Sequence, residues 1–412
     1  MPPIAPRSAR ALAPFAITLI TFVGAASAPS PLYGLYQKAW GFSSLTLTAI
    51  FAVYAGALLL TLLITGSLSD HLGRRPVILS AIVLEIIAMA LFSRAEGVSW
   101  LIAARLTQGV ATGLATAALG AALIDIERTR GTLTNTVGSL AGMAIGALAT
   151  ATLIQLAPTA GDLVFPILMA IFIGEGLWIA AQSEPATPRP GAWASLKPSV
   201  GLPRAARRTF LLVAPIDIAI WALGGFYLSL GPALARGIAT TPLPILGGLA
   251  IFALAMTGAG AIVVFNSLSP HRQIVLGAAS MAGGVALTLL AAHGGGLALF
   301  FGGTVLAGIG FGVGFQGAVR SVMPLAGAGE RAGLLAALYI LSYASNSLPA
   351  LAAGGLVGSF GLARVGDVYG GLVVALSLLA LAGALVFPAR SCGAGGKEAG
   401  PVSPEVSRAG CR

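Results

Sequence analysis

Charge is what this chain of 412 residues has least of: only 9% of its residues are Asp, Glu, Lys or Arg, against about a quarter in soluble proteins. So few ionised side chains leave too little polar surface for a water-facing body, which excludes a soluble globular domain. Cysteine is scarce as well, with only Cys392 and Cys411 present. Their spacing fits no metal site, and a disulfide between them would tie one polar C-terminal stretch to itself, so no metal centre or redox function follows. His71, His271 and His293 are the three histidines, scattered with no Ser–His or metal-ligand constellation, which removes the usual grounds for an intramembrane enzyme. The Gly-x-x-x-x-Gly-Lys-(Ser/Thr) phosphate loop is missing; the Gly-Lys pair at Lys397 is followed by Glu398. No enzyme activity, ATP-driven motor or bound cofactor is expected.

Apolar residues make up 57% of the chain, glycine adds 56 positions, and mean hydropathy is +0.93. Several runs without any charge, such as Ala39 to Ser69, Gly131 to Gly161 and Gly237 to Pro270, exceed the ~20 residues a helix needs to cross hydrocarbon. They lack period-two alternation, so helices are expected and barrel strands are not. The pattern predicts an all-α polytopic membrane protein with twelve helices, at 11–36, 46–69, 76–93, 98–124, 132–156, 162–182, 208–234, 243–267, 273–293, 296–322, 331–359 and 366–388. Arg7 and Arg10 before Ala26-Ser27-Ala28 imitate a cleaved signal peptide. The apolar run continues to Tyr36, however, and is read as the first membrane helix.

Prolines 185, 188, 190, 198 and 203 alternate with Arg189, Lys197, Arg204 and Arg207, marking a linker. The expected organisation is a six-helix bundle over 1–182, a cytoplasmic linker at 183–207, a second six-helix bundle over 208–390 and a disordered cytoplasmic tail at 391–412. With twelve helices both termini share a side, and that side holds 18 of the 23 Lys and Arg; Lys38, Arg94, Arg236 and Arg364 fall opposite. Basic residues are retained in the cytoplasm, so both termini are expected there, in a plasma membrane such as a bacterial cytoplasmic membrane. The net charge of +10 is thereby topological and signals no nucleic-acid partner.

Gly66-Ser67-Leu68-Ser69-Asp70-His71 recurs 200 residues on as Asn266-Ser267-Leu268-Ser269-Pro270-His271, and Gly109 and Gly113 recur as Gly308 and Gly312. Such internal repeats are found in transporters built from two similar halves around a central site.

The segment Gly66 to Arg75, read as Gly-x-Leu-x-Asp-His-x-Gly-Arg-Arg, resembles the loop signature of the major facilitator superfamily. Arg105-Leu106-Thr107-Gln108-Gly109 is similar to a motif of its proton-coupled members. The resemblance covers about residues 11 to 390. It implies the major facilitator fold, a small-molecule substrate handled by a monomer in the bilayer, and protons as the coupling ion. Gly66, Asp70, Gly73, Arg74 and Arg75 would form a conformational latch, with Asp125 as the implied partner of Arg74. Gly66 is expected to let helix two approach a neighbour, Gly73 to permit a sharp turn, and Asp70 to pair with a basic group.

Four ionisable residues fall inside spans: Glu85, Arg105, Glu175 and Asp217. Each must be paired, wetted or neutral, because an unpaired one costs about 2.5–3.5 kcal/mol on insertion scales. Arg105 and Asp217 lie on helices that the resemblance places at the cavity, Asp217 with Trp221 on the same face, and Gln108 could hold Arg105 or contact substrate. Glu85 is a further candidate proton site. Pro29 and Pro31 free backbone carbonyls near Tyr33 and Tyr36. Gln316, Tyr343 and Asn346 complete the candidate substrate and proton pathway, with Tyr227 and Tyr339 as further cavity candidates. Six Gln and three Asn are few for gripping a sugar, so an apolar or weakly charged organic molecule is the better expectation. A proton-coupled exporter is the first reading, with a symporter or facilitator importing a metabolite as the alternative. Against export stands Gly142-Met143-Ala144-Ile145-Gly146, which lacks the proline often seen in helix five of antiporters.

Overall fold

The computed structural model describes residues 6–239, 243–327 and 329–386; the C-terminal tail and both cysteines lie outside the described residues. Twelve membrane helices run through them: α1 (Pro6–Ser27), α2 (Ser44–Thr65), α3 (Arg74–Ser93), α4 (Val98–Ile126), α5 (Arg128–Leu156), α6 (Val164–Ala180), α7 (Arg204–Ser229), α8 (Ile245–Val264), α9 (Pro270–Leu290), α10 (Gly296–Val322), α11 (Arg331–Phe360) and α12 (Leu362–Val386). A single apolar segment, Pro270–Leu325, contains both α9 and α10. It folds back at Ala291–Gly295, where Gly294 and Gly296 take φ of 110° and 75° that a side chain would resist. The glycine-rich turn expected there is thus present.

Two helices end sooner than the apolar pattern suggests. The first stops at Ser27 rather than Tyr36, because Pro29 has no N–H to give the Ala25 carbonyl and the Ser30 N–H turns to Ser27 at 3.1 Å. The chain then forms a short helix, Tyr33–Trp40, closed by Gly41 in the left-handed region. Likewise α7 ends at Ser229, and Pro232 opens a separate short helix, Gly231–Ile238.

Buried apolar side chains form two cores, one running from Leu12 to Ile179 and the other from Ala206 to Ala380. Within the first, α1 packs on α4, α5 and α6, α4 on α2 and α3, and α3 on α6. The same pairings recur six helices later: α7 on α10, α11 and α12, α10 on α8 and α9, and α9 on α12. These are the two six-helix bundles. Leu60, Leu177, Leu211, Leu348 and Leu372 stay exposed on the outside, apolar surface that only a bilayer would cover.

The bundles meet along two seams, α5 with α8 and α2 with α11, which exchange under the same six-helix shift. The tightest approaches lie far from the α6–α7 connection. A Cβ on Gly248 would sit 2.6 Å from the Ala147 carbonyl oxygen, and one on Gly354 would sit 2.7 Å from the Ser44 carbonyl oxygen. The halves are therefore closed against each other on the face opposite that connection.

Candidate functional site

In the N-terminal bundle the end of α1 organises a wholly buried polar cluster. The Ala25 and Ala26 carbonyls, left open by the break at Pro29, are taken by two side chains of α4 one turn apart. Gln108 Nε2 donates to Ala25 O at 3.1 Å, and Arg105 Nη1 donates to Ala26 O at 2.8 Å. Arg105 also donates to Gln108 Oε1 at 2.7 Å and, through Nε, to the Tyr33 hydroxyl at 2.5 Å. Its guanidinium lies 5.1 to 5.7 Å from the ring centroids of Tyr54, Tyr33 and Phe92, so aromatic faces supply part of the lost hydration. Gln108 Nε2 reaches Glu85 Oε1 on α3 at 2.9 Å, linking the arginine to the acid through an amide. Two atoms remain without a hydrogen bond, Glu85 Oε2 and Arg105 Nη2. Of the two roles open to Gln108, holding Arg105 is the one observed.

The C-terminal bundle holds Asp217 at mid-helix on α7, fully buried. Its carboxylate accepts from Ser342 Oγ on α11, at 2.9 Å to Oδ2 and 3.2 Å to Oδ1. Among the described residues no Lys or Arg forms an ion pair with it. One turn on, Trp221 meets Tyr343 at 4.9 Å and Phe315 at 5.8 Å between ring centroids, and Tyr339 stands 6.3 Å from Tyr343. The Trp221 Nε1 is buried without a hydrogen-bond partner. Asn346 Nδ2 donates to the Trp221 carbonyl at 3.1 Å, fixing α11 to α7 where Gly225 leaves room for the Asn346 backbone. Tyr54 and Tyr343, one from each bundle, lie near one another between the two clusters.

The α2–α3 loop forms a third cluster. Arg74, nearly buried, pairs with Asp70, donates through Nε to Asp125 Oδ2 at 2.9 Å and bonds Ser69 Oγ at 2.7 Å. Gly73 turns with φ of 97°, as the sharp bend requires. Gly66 is different from expectation: a Cβ there would meet only the Leu62 carbonyl of its own helix, so it ends α2 and serves no close helix approach. A residue that the sequence did not single out, Glu184, completes the loop. It accepts from the backbone N–H groups of Arg74 at 2.7 Å and Arg75 at 3.0 Å, a carboxylate on the positive end of α3. A Cβ at Gly73 would lie 2.9 Å from Glu184 Oε2, so the glycine also makes room for the cap. Arg189 N donates to Asp70 O, His71 Nδ1 contacts the Pro190 carbonyl at 3.0 Å, and Gly201 N donates to Gly333 O. The α6–α7 connection is thus fastened to the loop at one end and to α11 at the other.

Other candidates are placed elsewhere. Tyr36 stacks on Trp40 at 4.8 Å in the short helix at the opposite face. Gln316, on the connection-side half of α10, accepts from Gln273 at 2.7 Å and donates to Asn266 Oδ1 at 3.1 Å. Tyr227 bonds Thr304 between α7 and α10, away from the aromatic cluster. Among the described residues no group of His, Cys, Asp or Glu could hold a metal ion.

A comparison with curated proteins found no match. Solved structures give the fold. The human organic anion transporter MFSD10 (TETRAN) superposes with a TM-score of 0.65 at 18% identity, over 91% of this chain and 100% of that one. A bacterial homologue of the human lysosomal transporter Spinster, in an inward-facing and unoccupied conformation, gives 0.73 at 12% identity, over 93% and 98%. The sequence profile of the Major Facilitator Superfamily matches residues 15–350, four-fifths of the chain with both repeats inside it, and the protein belongs to that superfamily of membrane transporters.

Proposed function

We propose that the protein is a proton-coupled antiporter that exports small amphiphilic organic compounds across a plasma membrane by alternating access. The observation that carries this reading is Asp217: a carboxylate at mid-helix on α7, wholly buried, with a hydroxyl and aromatic rings beside it and, among the described residues, no cationic partner. An ionised carboxylate cannot rest there unaided. It would hold a proton when the site is empty and release it when a substrate, or water from an opened face, replaces that proton. Trp221, Tyr343 and Phe315 would give an organic molecule its apolar wall, with the Trp221 N–H, beside the Asp217 carboxylate, as donor. Arg105 is already engaged by Ala26, Gln108 and Tyr33, so its part is to fix α1 against α4 and present Tyr54. Glu85 would be the proton site of that cluster.

We place the divide between the bundles at 183–207 and the α6–α7 connection in the cytoplasm, with the termini. The closed seams then face outward and the described state opens inward. Exchange of the tight seams for the latch side would be the working stroke, with the Arg74–Asp125 pair biasing which state is populated. One proton crossing a unit of pH and 100 mV releases about 3.7 kcal/mol, enough to hold a gradient of several hundredfold without ATP.

The test is reconstitution as a monomer into vesicles with an imposed pH gradient and a panel of amphiphilic compounds. ATP-independent movement of compound against proton flow is expected, and in Asp217→Asn it should stop while downhill exchange persists. Compound moving with the proton would make the protein a symporter instead, and unchanged pH-driven transport in the variant would remove Asp217 from the mechanism.

A further inference from the structure

A third buried acid stands apart from every group used above. Glu175, on α6, is 5% exposed and faces α1. Thr21 Oγ1 donates to its Oε1 at 2.6 Å. The Thr18 hydroxyl, wholly buried one turn earlier on α1, lies beside the same carboxylate. Two oxygens there lack any hydrogen-bond partner, Glu175 Oε2 and Thr18 Oγ1. The Thr18 hydroxyl can donate to a carboxylate or accept from a carboxylic acid, but neither threonine supplies a positive charge, so an ionised Glu175 would stand as an uncompensated anion in an apolar setting.

The charged groups on the elements around it do not relieve this. On α3, Glu85 is committed to Gln108, Arg74 and Arg75 lie at the far end by the loop, and Arg94 ends the helix at the opposite face. Asp162 lies in the turn before α6, next to Tyr36 rather than Glu175. Among the described side chains, the hydroxyls of Thr18 and Thr21 are what acts on the carboxylate.

A hydrogen on Oε2 removes the buried charge and has Thr18 Oγ1 beside it as an acceptor, while Oε1 keeps the Thr21 bond. A metal cation would have only these two carboxylate and two hydroxyl oxygens as side-chain ligands. We propose that Glu175, Thr18 and Thr21 form a further proton-binding site in the N-terminal bundle, distinct from both Glu85 and Asp217. The site sits on the helix whose far end is held by Arg105 and Gln108. Loading and unloading it would loosen α1 from α6 without touching the aromatic cluster.

The experiment is infrared difference spectroscopy of the full-length protein in lipid nanodiscs as pH is stepped from about 5 to about 9, reading the C=O stretch of protonated carboxyl groups. The wild type should lose two or more such bands. Glu175→Gln, which keeps a donor for Thr18 and an acceptor for Thr21, should abolish one of them; Asp217→Asn should abolish a different one, and the double variant both. Thr18→Val should shift the frequency of the Glu175 band while leaving the others in place. If Glu175→Gln removes no pH-sensitive band, the site is not a proton site and the proposal is overturned. If sodium at fixed pH discharges the band as alkali does, the occupant is sodium and the proposal is equally overturned. The spectrum does not depend on transport, so a titrating Glu175 in a protein that moves no compound would leave this site standing and defeat the antiport reading alone.

Discussion

Where α4 carries Arg105, α10 carries Thr304 at the repeat offset, and each meets a tyrosine hydroxyl: Arg105 Nε with Tyr33 at 2.5 Å, Thr304 Oγ1 with Tyr227 at 2.9 Å. Four residues on, Gly109 and Gly308 admit the carbonyls of Tyr54 and Leu254, themselves 200 positions apart. Another turn on, Gly113 and Gly312 admit those of Leu58 and Gly258. The connection-side loops diverge in the same sense. Arg74 joins two carboxylates, whereas Arg320 donates to the carbonyls of Asn266 and Leu268 and to the amide of Gln273. One scaffold thus carries a strongly bonded charge network in its first copy and neutral partners in its second. The second copy, freed of that network, places its buried acid, Asp217, beside an aromatic cluster with a serine hydroxyl as its partner.

That contrast breaks most severely at Asp217. Asp217→Asn keeps an acceptor for Ser342 but cannot exchange a proton, and pH-driven flux in vesicles should be lost completely. The variant Arg105→Thr gives the first copy the residue of the second. It leaves the Ala26 carbonyl and Gln108 without their charged donor, and should cost several kcal/mol, at about 1.5–3 kcal/mol for each hydrogen bond to a charged group. Thermal unfolding in detergent would register this as a large fall in Tm. An unchanged Tm would mean the arginine network is ornamental and the two copies are equivalent.

Much of this was legible in the chain. Each crossing needs a long apolar run, so the helices could be found from composition. The i, i+3 spacing of Arg105 and Gln108 placed them on one face, and the loop signature placed Arg74 by Asp125. What escaped had no local signal. Ser342 lies 125 residues from Asp217, and nothing near either names the other. Gln316 joins the cavity candidates as a polar residue on the tenth helix, and nothing near it in sequence names Gln273 and Asn266, which bond it in the structure. Pro29 lay inside an unbroken apolar run that hid the end of α1. Glu184, one acid in a basic, proline-rich stretch, looked like solvated linker.

Where the copies agree, matched changes should agree too. A Cβ on Gly109 would stand 2.5 Å from the Tyr54 carbonyl oxygen, and one on Gly308 would stand 2.6 Å from that of Leu254. Gly109→Ala and Gly308→Ala should each cost about 1–3 kcal/mol through overpacking, with similar falls in Tm. Strongly unequal losses would show that the shared glycine spacing no longer supports the same helix contact in both halves.

The smallest expected difference concerns how α3 and α9 begin. The start of α3 is covered from a distance by Glu184, whose two oxygens take two N–H groups at 2.7 and 3.0 Å. By contrast, α9 is capped from its own chain by Ser269, through one bond of 3.4 Å from the Arg272 N–H. A charged acceptor on a helix N-terminus is worth more than a long neutral bond, since it meets both the unpaired donors and the helix dipole. Glu184→Ala should therefore cost about 0.5–2 kcal/mol and Ser269→Ala only a few tenths. Glu184→Gln should fall between them, because it retains an oxygen but not the charge. Comparing Tm for the three at low and high salt would separate the contributions. The Glu184 loss should shrink with salt, while that of Ser269 should not. Equal, salt-independent losses would mean that the carboxylate adds no charge interaction at α3, and that the two loops are held alike.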